Sequence, residues 1–367
     1  MQTYPGPAET RKSLVAIRLT EILRIDHPII QAPMAGVSTP RLAAAVSNSG
    51  ALGSISVGAS NPQAARAMIA DTRALTDRSF NVNVFCHRPA ISDIQRERQW
   101  LGYLAPFFEE FDAEPPSSLR EIYQTFSSDS EMLKTLVDER PAVVSFHFGL
   151  PPQGHIEALK KAGVFLIATA TTVEEGARIK AAGIDAIVAQ GLEAGGHRGM
   201  FNPELGDPGI LTLELVQALK ARVDLPVIAA GGIMDGRDIS KALALGAEAA
   251  QLGTAFVLCP ESSANEGYRD RLKTVEPGDT QITAAISGRP ARGIINRMHR
   301  EIGASTAPRL PDYPIAYDAA KALHGVASAK GSDDFAAHWA GQGASRAREM
   351  AAADLIEVLV SEMHGNA

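Results

Sequence analysis

Ten residues, Gln190-Gly-Leu-Glu-Ala-Gly-Gly-His-Arg-Gly199, carry the strongest chemical signal in this chain. Four glycines surround one histidine, His197. Glycine lets the backbone take positive φ and approach a ligand closely. A histidine held in such a loop titrates near neutral pH and can take up or release a proton. The stretch follows an apolar run, Ile184-Asp-Ala-Ile-Val-Ala189, that reads as a buried strand. A strand ending in such a loop resembles the catalytic mouth of a barrel more than a structural turn.

Two further glycine motifs point to phosphate. Ile228-Ala-Ala-Gly-Gly-Ile233 and Gln251-Leu-Gly-Thr254 each place glycine (Gly231, Gly232, Gly253) at the end of an apolar run. Backbone N–H groups of such loops, with a helix N-terminus nearby, form an anion cradle. In barrels that cradle follows the last two strands. No Walker A pattern and no convincing GxGxxG occurs, which disfavours ATP and a Rossmann-bound dinucleotide. A third cluster is Tyr313, Tyr317 and Lys321, whose spacing of four puts them on one face if the segment is helical. Pro314 must then lie in the first turn. Taken alone, the cluster is an ordinary amphipathic face. Of nine histidines, His27, His87, His155, His299, His324, His338 and His364 lie in no motif and read as surface or structural. His147 sits in a strand run and, by itself, reads as a satisfied core histidine. No pair has metal-ligand spacing, so no metal site is expected.

The elements that must position these groups recur as a short apolar run, a Gly/Ser/Thr-rich loop and an amphipathic segment. Eight strand candidates begin near residues 29, 51, 80, 142, 164, 185, 227 and 249. Thr39, Asn61, Thr172 and Asp235 stand where helix N-caps belong. Gly163, Gly183 and Gly246 stop helices just before strands. Asn81 and Asn83 share one face of their strand, and a polar residue in a buried strand needs a partner. Eight β-α units suggest a closed (β/α)8 barrel of the TIM type, with a doubly wound sheet as the alternative. The barrel is expected over 1–260, with a helical excursion near 89–138. A smaller lobe lining the active site is expected over 261–330, and one or two C-terminal helices packing on the barrel over 331–367.

At 367 residues and 45% apolar content the chain can bury a sizeable core. Net charge is −7 with no Lys/Arg cluster, so neither nucleic acid nor an anionic membrane is an expected partner. Two cysteines, Cys86 and Cys259, form no CxxC pair, which fits a reducing cytoplasm. The first 25 residues show no signal-peptide core, and no apolar run reaches membrane-span length.

Gln31-Ala-Pro-Met-Ala-Gly36, Asn81-Val-Asn83, Ser145-Phe-His-Phe-Gly149, Gln190 to Gly199, Ala230-Gly-Gly232 and Gln251-Leu-Gly-Thr254 together resemble class I nitronate monooxygenases, formerly called 2-nitropropane dioxygenases. The resemblance runs over residues 25–325. It implies a TIM-like barrel carrying FMN without a metal. Pro33 and Met34 are then expected near the isoalloxazine, and Asn83 and Gln190 on the flavin or its ribityl chain. Gly195, Gly196, Gly231, Gly232, Gln251, Leu252, Gly253 and Thr254 are expected around the ribityl phosphate. His197 becomes the catalytic histidine, a base toward a neutral nitroalkane and an anion-orienting group toward a nitronate. His147, Tyr313, Tyr317 and Lys321 become pocket walls. The implied reaction oxidises alkyl nitronates with O2 to a carbonyl product and nitrite, with propionate 3-nitronate as substrate and detoxification as role. The expected assembly is a monomer or homodimer. The competing readings are a related FMN barrel, the enoyl-acyl-carrier reductase using NAD(P)H, and a non-catalytic FMN-binding protein. Barrels like inosine-monophosphate dehydrogenase are disfavoured because no cysteine occupies a matching loop.

Overall fold

Eight parallel strands form the centre of the molecule: β1 (Ile29–Gln31), β2 (Gly53–Ser56), β3 (Phe80–Phe85), β4 (Val143–His147), β5 (Phe165–Ala170), β6 (Ala186–Gln190), β8 (Val227–Ala230) and β9 (Ala249–Leu252). Between β6 and β8 lies a two-residue strand, β7 (Gly196–His197). The computed structural model describes residues 18–365. Residues 1–17, where most of the expected signal-free N-terminus falls, and 366–367 lie outside the described residues.

The strand order is β1-β9-β8-β6-β5-β4-β3-β2, every pair parallel. A bridge from Ile30 to Leu52 joins the two ends, with Gln31 N–H on Leu52 O at 2.9 Å. The ring therefore closes as a (β/α)8 barrel, and the doubly wound alternative falls. All eight strand candidates are present. Closure follows from burial on both faces: strand side chains enter either the barrel interior or the shell beneath the helices.

The caps explain where the helices start. Thr39 Oγ1 accepts from Leu42 N (3.0 Å), Asn61 Oδ1 from Ala64 N (2.8 Å), Thr172 Oγ1 from Glu175 N (3.1 Å) and Asp235 Oδ1 from Asp238 N (2.8 Å). Gly163, Gly183 and Gly246 take φ of +84°, +78° and +100° where the helices Gln153–Lys161, Val173–Ala181 and Gly236–Ala244 end. The helix Leu19–Leu23 joins one apolar cluster with Ile30, Leu52, Ile167, Val188 and Ile228 and so fills the N-terminal end of the barrel. Among the described residues no helix is long and apolar enough to cross a membrane.

Three boundaries differ from the sequence expectation. The helix Ser130–Glu139 packs against Pro62–Arg73 and Gln153–Lys161, so it is an ordinary barrel helix of the β3–β4 crossover. The excursion is therefore shorter than 89–138. Its main helix, Ile94–Glu109, packs on Ile315–Ala329. Trp100, Leu104 and Phe108 share a second core with Ile286, Met298, Leu323 and Phe335. Two inserts far apart in sequence thus make one lobe, because neither has enough apolar surface to bury alone.

The lobe also holds an antiparallel sheet that the sequence reading lacked, β10 (Thr280–Thr283), β11 (Ala291–Ile294) and β7, in that order. Among the described residues of the C-terminal segment, the one α-helix is Ala352–Met363, within the expected one or two; residues 332–351 are mostly irregular. That helix packs between Gly236–Ala244 and Pro40–Asn48, and Glu362 accepts from Gly236 N at 2.8 Å. It occupies the place of the eighth barrel helix. The lobe is an insertion between the eighth strand and its helix, so the barrel does not end at 260.

Candidate active site

A cavity of about 460 Å³ opens at the C-terminal ends of the barrel strands, within the range of small-molecule sites. A second hollow, about 510 Å³, lies at the opposite end, where the one lysine, Lys160, is engaged by Asp185 and Gly183 O. Barrel chemistry sits at the C-terminal face, which selects the first cavity. Pro33, Met34, Asn83, His147, Gln190, Gly195, Gly196, His197, Gly231, Gly232, Gln251, Gly253, Thr254, Tyr313, Tyr317 and Lys321 all line it. Leu252 does not. Side chains alternate along β9, so Leu252 points into the main core while its carbonyl accepts from Ala32 N at 2.8 Å.

His197 is held by the lobe. Its strand β7 pairs with β11, His197 opposite Ala291, and Arg198 N–H donates to Pro290 O at 2.8 Å. His197 Nε2 lies 2.8 Å from Ser287 Oγ. Trp339, Tyr313, Phe148 and Tyr317 surround the ring with centroids 5.0 to 6.1 Å away. Burial, aided by His147, Arg289 and His87, lowers its pKa to about 3, so the imidazole is neutral.

Polar groups beneath the loop fix it from the barrel side. Gln190 Nε2 donates to His197 O at 2.9 Å, and His147 Nε2 reaches the same carbonyl at 3.2 Å. A carbonyl only accepts, so His147 carries its proton on Nε2 and accepts at Nδ1 from Thr169 Oγ1, 3.1 Å away. Both nitrogens are engaged, and burial lowers the His147 pKa to about 4. His147 is a wall that props the loop. Arg198 is fully buried, donates to Gln190 O and Gly191 O, and pairs with Asp207 at 2.6 Å. Arg198 is a structural anchor that the motif contains but the sequence reading gave no role. Gln190 Oε1 accepts from Gly199 N and Arg198, and the second Nε2 hydrogen has no acceptor among the described residues.

The opposite wall is backbone. Gly231 and Gly232 take φ of +126° and +71°. The N–H groups of Gly232, Gly253 and Thr254 make no hydrogen bond to the described protein. Gly195 lies so close to the segment after Trp339 that an added Cβ would come within 2.5 Å of Gly341 N. That segment is a strap: Gly341 N donates to Thr254 Oγ1 (3.0 Å), Gln342 N to Glu193 O (2.9 Å) and Arg346 to Gly232 O (3.0 Å). Asn83 donates to Ser145 Oγ (2.9 Å) and O (3.1 Å), leaving its Oδ1 without a protein partner among the described residues.

On the lobe side, Tyr317 and Lys321 sit on the helix Ile315–Ala329, whereas Tyr313 precedes it and Pro314 is the N-cap. The shared-face argument therefore holds for two of the three, and the turn before the helix brings Tyr313 alongside. Lys321 Nζ lies 4.9 Å from the Tyr123 ring centre and 5.2 Å from that of Tyr317. Partial burial lowers its pKa, and burial raises those of Tyr123, Tyr313 and Tyr317, which stay protonated. Sequence reasoning missed Tyr123, Ser287, Arg289 and Trp339. A tryptophan in an alanine-rich stretch was a usable signal, since the chain has two. Arg289 lies two residues before β11. It is buried, stacks 4.4 Å over the Phe148 ring and has no acidic partner within salt-bridge distance among the described residues. Tyr123 and Ser287 had no sequence signal.

A closed (β/α)8 barrel whose strand-end cavity joins a neutral histidine, a glycine-rich backbone wall and a tyrosine-lysine wall has the architecture of a barrel enzyme acting on a small molecule. Its relatives make the class specific. A family model described as nitronate monooxygenase matches residues 16–362. The chain is 58% identical to the nitronate monooxygenase of Pseudomonas aeruginosa PAO1, over 95% of this chain and 99% of that one. It is 56% identical to the nitronate monooxygenase of Paraburkholderia phytofirmans PsJN, over 94% of each. Among solved structures it is similar to nitroalkane oxidase from Streptomyces ansochromogenes, with TM-score 0.85, 38% identity, and 95% of this chain and 98% of that one covered. FabK from Thermotoga maritima is more distant, with TM-score 0.70 and 30% identity over 94% and 95%. The chain belongs to the nitronate monooxygenase family and is an oxidoreductase.

Proposed function

We propose that this enzyme binds FMN and oxidises alkyl nitronates with O2 to a carbonyl compound and nitrite, with propionate 3-nitronate as the preferred substrate. The observation that carries the reading is the division of the cavity. One side offers backbone N–H groups without a partner among the described residues, at Gly232, Gly253 and Thr254, suited to a phosphate. The other offers aromatic rings, a neutral histidine and a lysine, suited to a small anion. Gly232, Gly253 and Thr254 would take the phosphate; Asn83 Oδ1 and the remaining Gln190 N–H would meet polar edges of the ring system. When bound, the flavin supplies the electron transfer and the reaction with O2.

The chain's own groups bind, orient and move protons. Lys321 stands at the rim with a positive charge that draws a carboxylate-bearing nitronate inward. Tyr317 and Tyr313 stay protonated and donate hydrogen bonds to anionic oxygens. Trp339 and Phe148 exclude water around His197, which strengthens every charge interaction there. A nitronate beside the imidazole favours its protonated form, so the anion raises the pKa that burial had lowered. Toward a neutral nitroalkane, the same ring accepts the α-proton.

The test is an absorption spectrum of the purified protein, then oxygen consumption and nitrite release with propionate 3-nitronate. Yellow protein, oxygen uptake and nitrite are expected. A colourless protein that takes up no FMN defeats the cofactor assignment. Rapid, stoichiometric bleaching of the flavin by NADH without air would move the assignment to a reductase.

A further inference from the structure

The site brings Ser287 to His197, and nothing in the activity assigns that serine a role. Ser287 is fully buried, in the turn that leads into β11, and its Oγ lies 2.8 Å from His197 Nε2. The same hydroxyl lies 3.2 Å from Arg289 O and 3.3 Å from Arg289 N. A hydroxyl has one hydrogen and two acceptor lone pairs. Arg289 N–H only donates and Arg289 O only accepts. If the hydroxyl hydrogen goes to Arg289 O, one lone pair receives Arg289 N–H and the other receives a hydrogen from His197 Nε2. All three contacts are then satisfied. If the hydroxyl donated to Nε2, a buried carbonyl would lose its donor, an arrangement native interiors avoid.

The other ring nitrogen completes the argument. His197 Nδ1 makes no hydrogen bond to the described protein, and it is not among the buried polar atoms sealed from solvent. The ring itself lines the cavity. We infer that Ser287 is a positioning residue that keeps the His197 proton on Nε2, so that Nδ1 is the atom presented to substrate as proton acceptor. The inference rests on the proposed function only for what Nδ1 accepts from; the tautomer itself is independent of the reaction. Its physical basis is the orienting bond of second-layer groups, which fixes which nitrogen of a histidine is free. β7–β11 pairing supplies the placement: without it the 287–289 turn would not reach the barrel loop.

Nitrogen-15 NMR of the imidazole in labelled enzyme at neutral pH reads this directly. The expected His197 pattern is a protonated Nε2 and an unprotonated Nδ1. Ser287→Ala should give a mixture of tautomers, and Ser287→Thr, which keeps the hydroxyl, should restore the single form. With a neutral nitroalkane, kcat/KM should fall about tenfold or more in Ser287→Ala and largely recover in Ser287→Thr. A proton on Nδ1 in the unaltered enzyme overturns the inference even if Ser287→Ala does not fold. So does a Ser287→Ala enzyme that keeps one tautomer and full kcat/KM. Failure of the unaltered enzyme to consume nitronate would remove the proposed function and leave the tautomer result standing.

Discussion

The two walls of the cavity are built on different principles. The barrel wall is mostly backbone: glycines at strand ends, N–H groups without protein acceptors, and polar side chains such as Gln190 and Arg198 used to brace loops. The lobe wall is side chains: Tyr123, Tyr313, Tyr317, Trp339 and Lys321. His197 stands at the seam, carried by a barrel loop but paired to lobe strand β11. A backbone wall fails when an atom is added to it, whereas a side-chain wall fails when atoms are removed. That difference can be tested from both sides.

The largest effect is expected on the barrel wall. Gly195→Ala places a Cβ 2.5 Å from Gly341 N and 2.6 Å from Ala340 C, backbone on both contacts, so the strap must shift. Flavin occupancy, read as the absorbance ratio of cofactor to protein, should drop by about 100-fold or more, since overpacking against fixed atoms costs up to several kcal/mol. Normal occupancy would mean the strap is not part of the cradle.

At the seam, His197→Asn should leave flavin occupancy intact. Turnover of a neutral nitroalkane should fall by about 100-fold, the low end for loss of a general base, with a smaller loss on the nitronate. Steady-state kinetics on the matched acid and anion forms of one substrate decide it; equal losses would remove the base role.

The seam also gives the protein a sensitivity to acid. Burial lowers the pKa of His197 to about 3 and those of His147 and His87 to about 4, against 6.5 for a free histidine. The unfolded chain therefore holds more protons below pH 6.5, and stability falls as pH drops from there toward 4. It is at its full value above pH 6.5. Each such histidine costs about 2 kcal/mol by pH 5. Thermal melts at pH 7.5 and pH 5 should show the loss, and His87→Phe, replacing a buried titratable imidazole with a ring that takes up no proton, should reduce it. A flat pH profile would argue against neutral, buried rings.

The smallest effect belongs to the outer lobe wall. Lys321→Met should raise KM for propionate 3-nitronate about tenfold, equal to about 1.4 kcal/mol, with kcat nearly unchanged. An alkyl nitronate without a carboxylate should respond less. Added salt should weaken binding in the unaltered enzyme and not in the variant. Equal responses by both substrates would place the lysine's action on the nitronate group instead.

The same contrast explains how much could be read from sequence. Barrel features are local: a cap such as Asn61, a stop such as Gly183 and an apolar run such as Ala186–Gln190 each act within a few residues. The eight strands follow from such signals, and sixteen of the seventeen residues expected from them and from the family resemblance line the cavity. Leu252 was lost because one step along a strand turns a side chain to the other face. Ser287, Tyr123 and Trp339 were missed because their neighbours at the site lie far away in the chain. Ser287 reaches His197 across 90 residues.

The sequence by itself determined the repeating β-α rhythm, the glycines at the strand ends and the histidine of the 190–199 loop, because backbone conformation and apolar periodicity are set by near neighbours. Tertiary structure decided that the 94–109 and 315–329 helices form one lobe, that the C-terminal helix completes the barrel, and that β11 pins His197 over the cavity. Those outcomes depend on which apolar faces and unpaired strand edges are left exposed once the barrel closes. No short stretch of sequence carries that information.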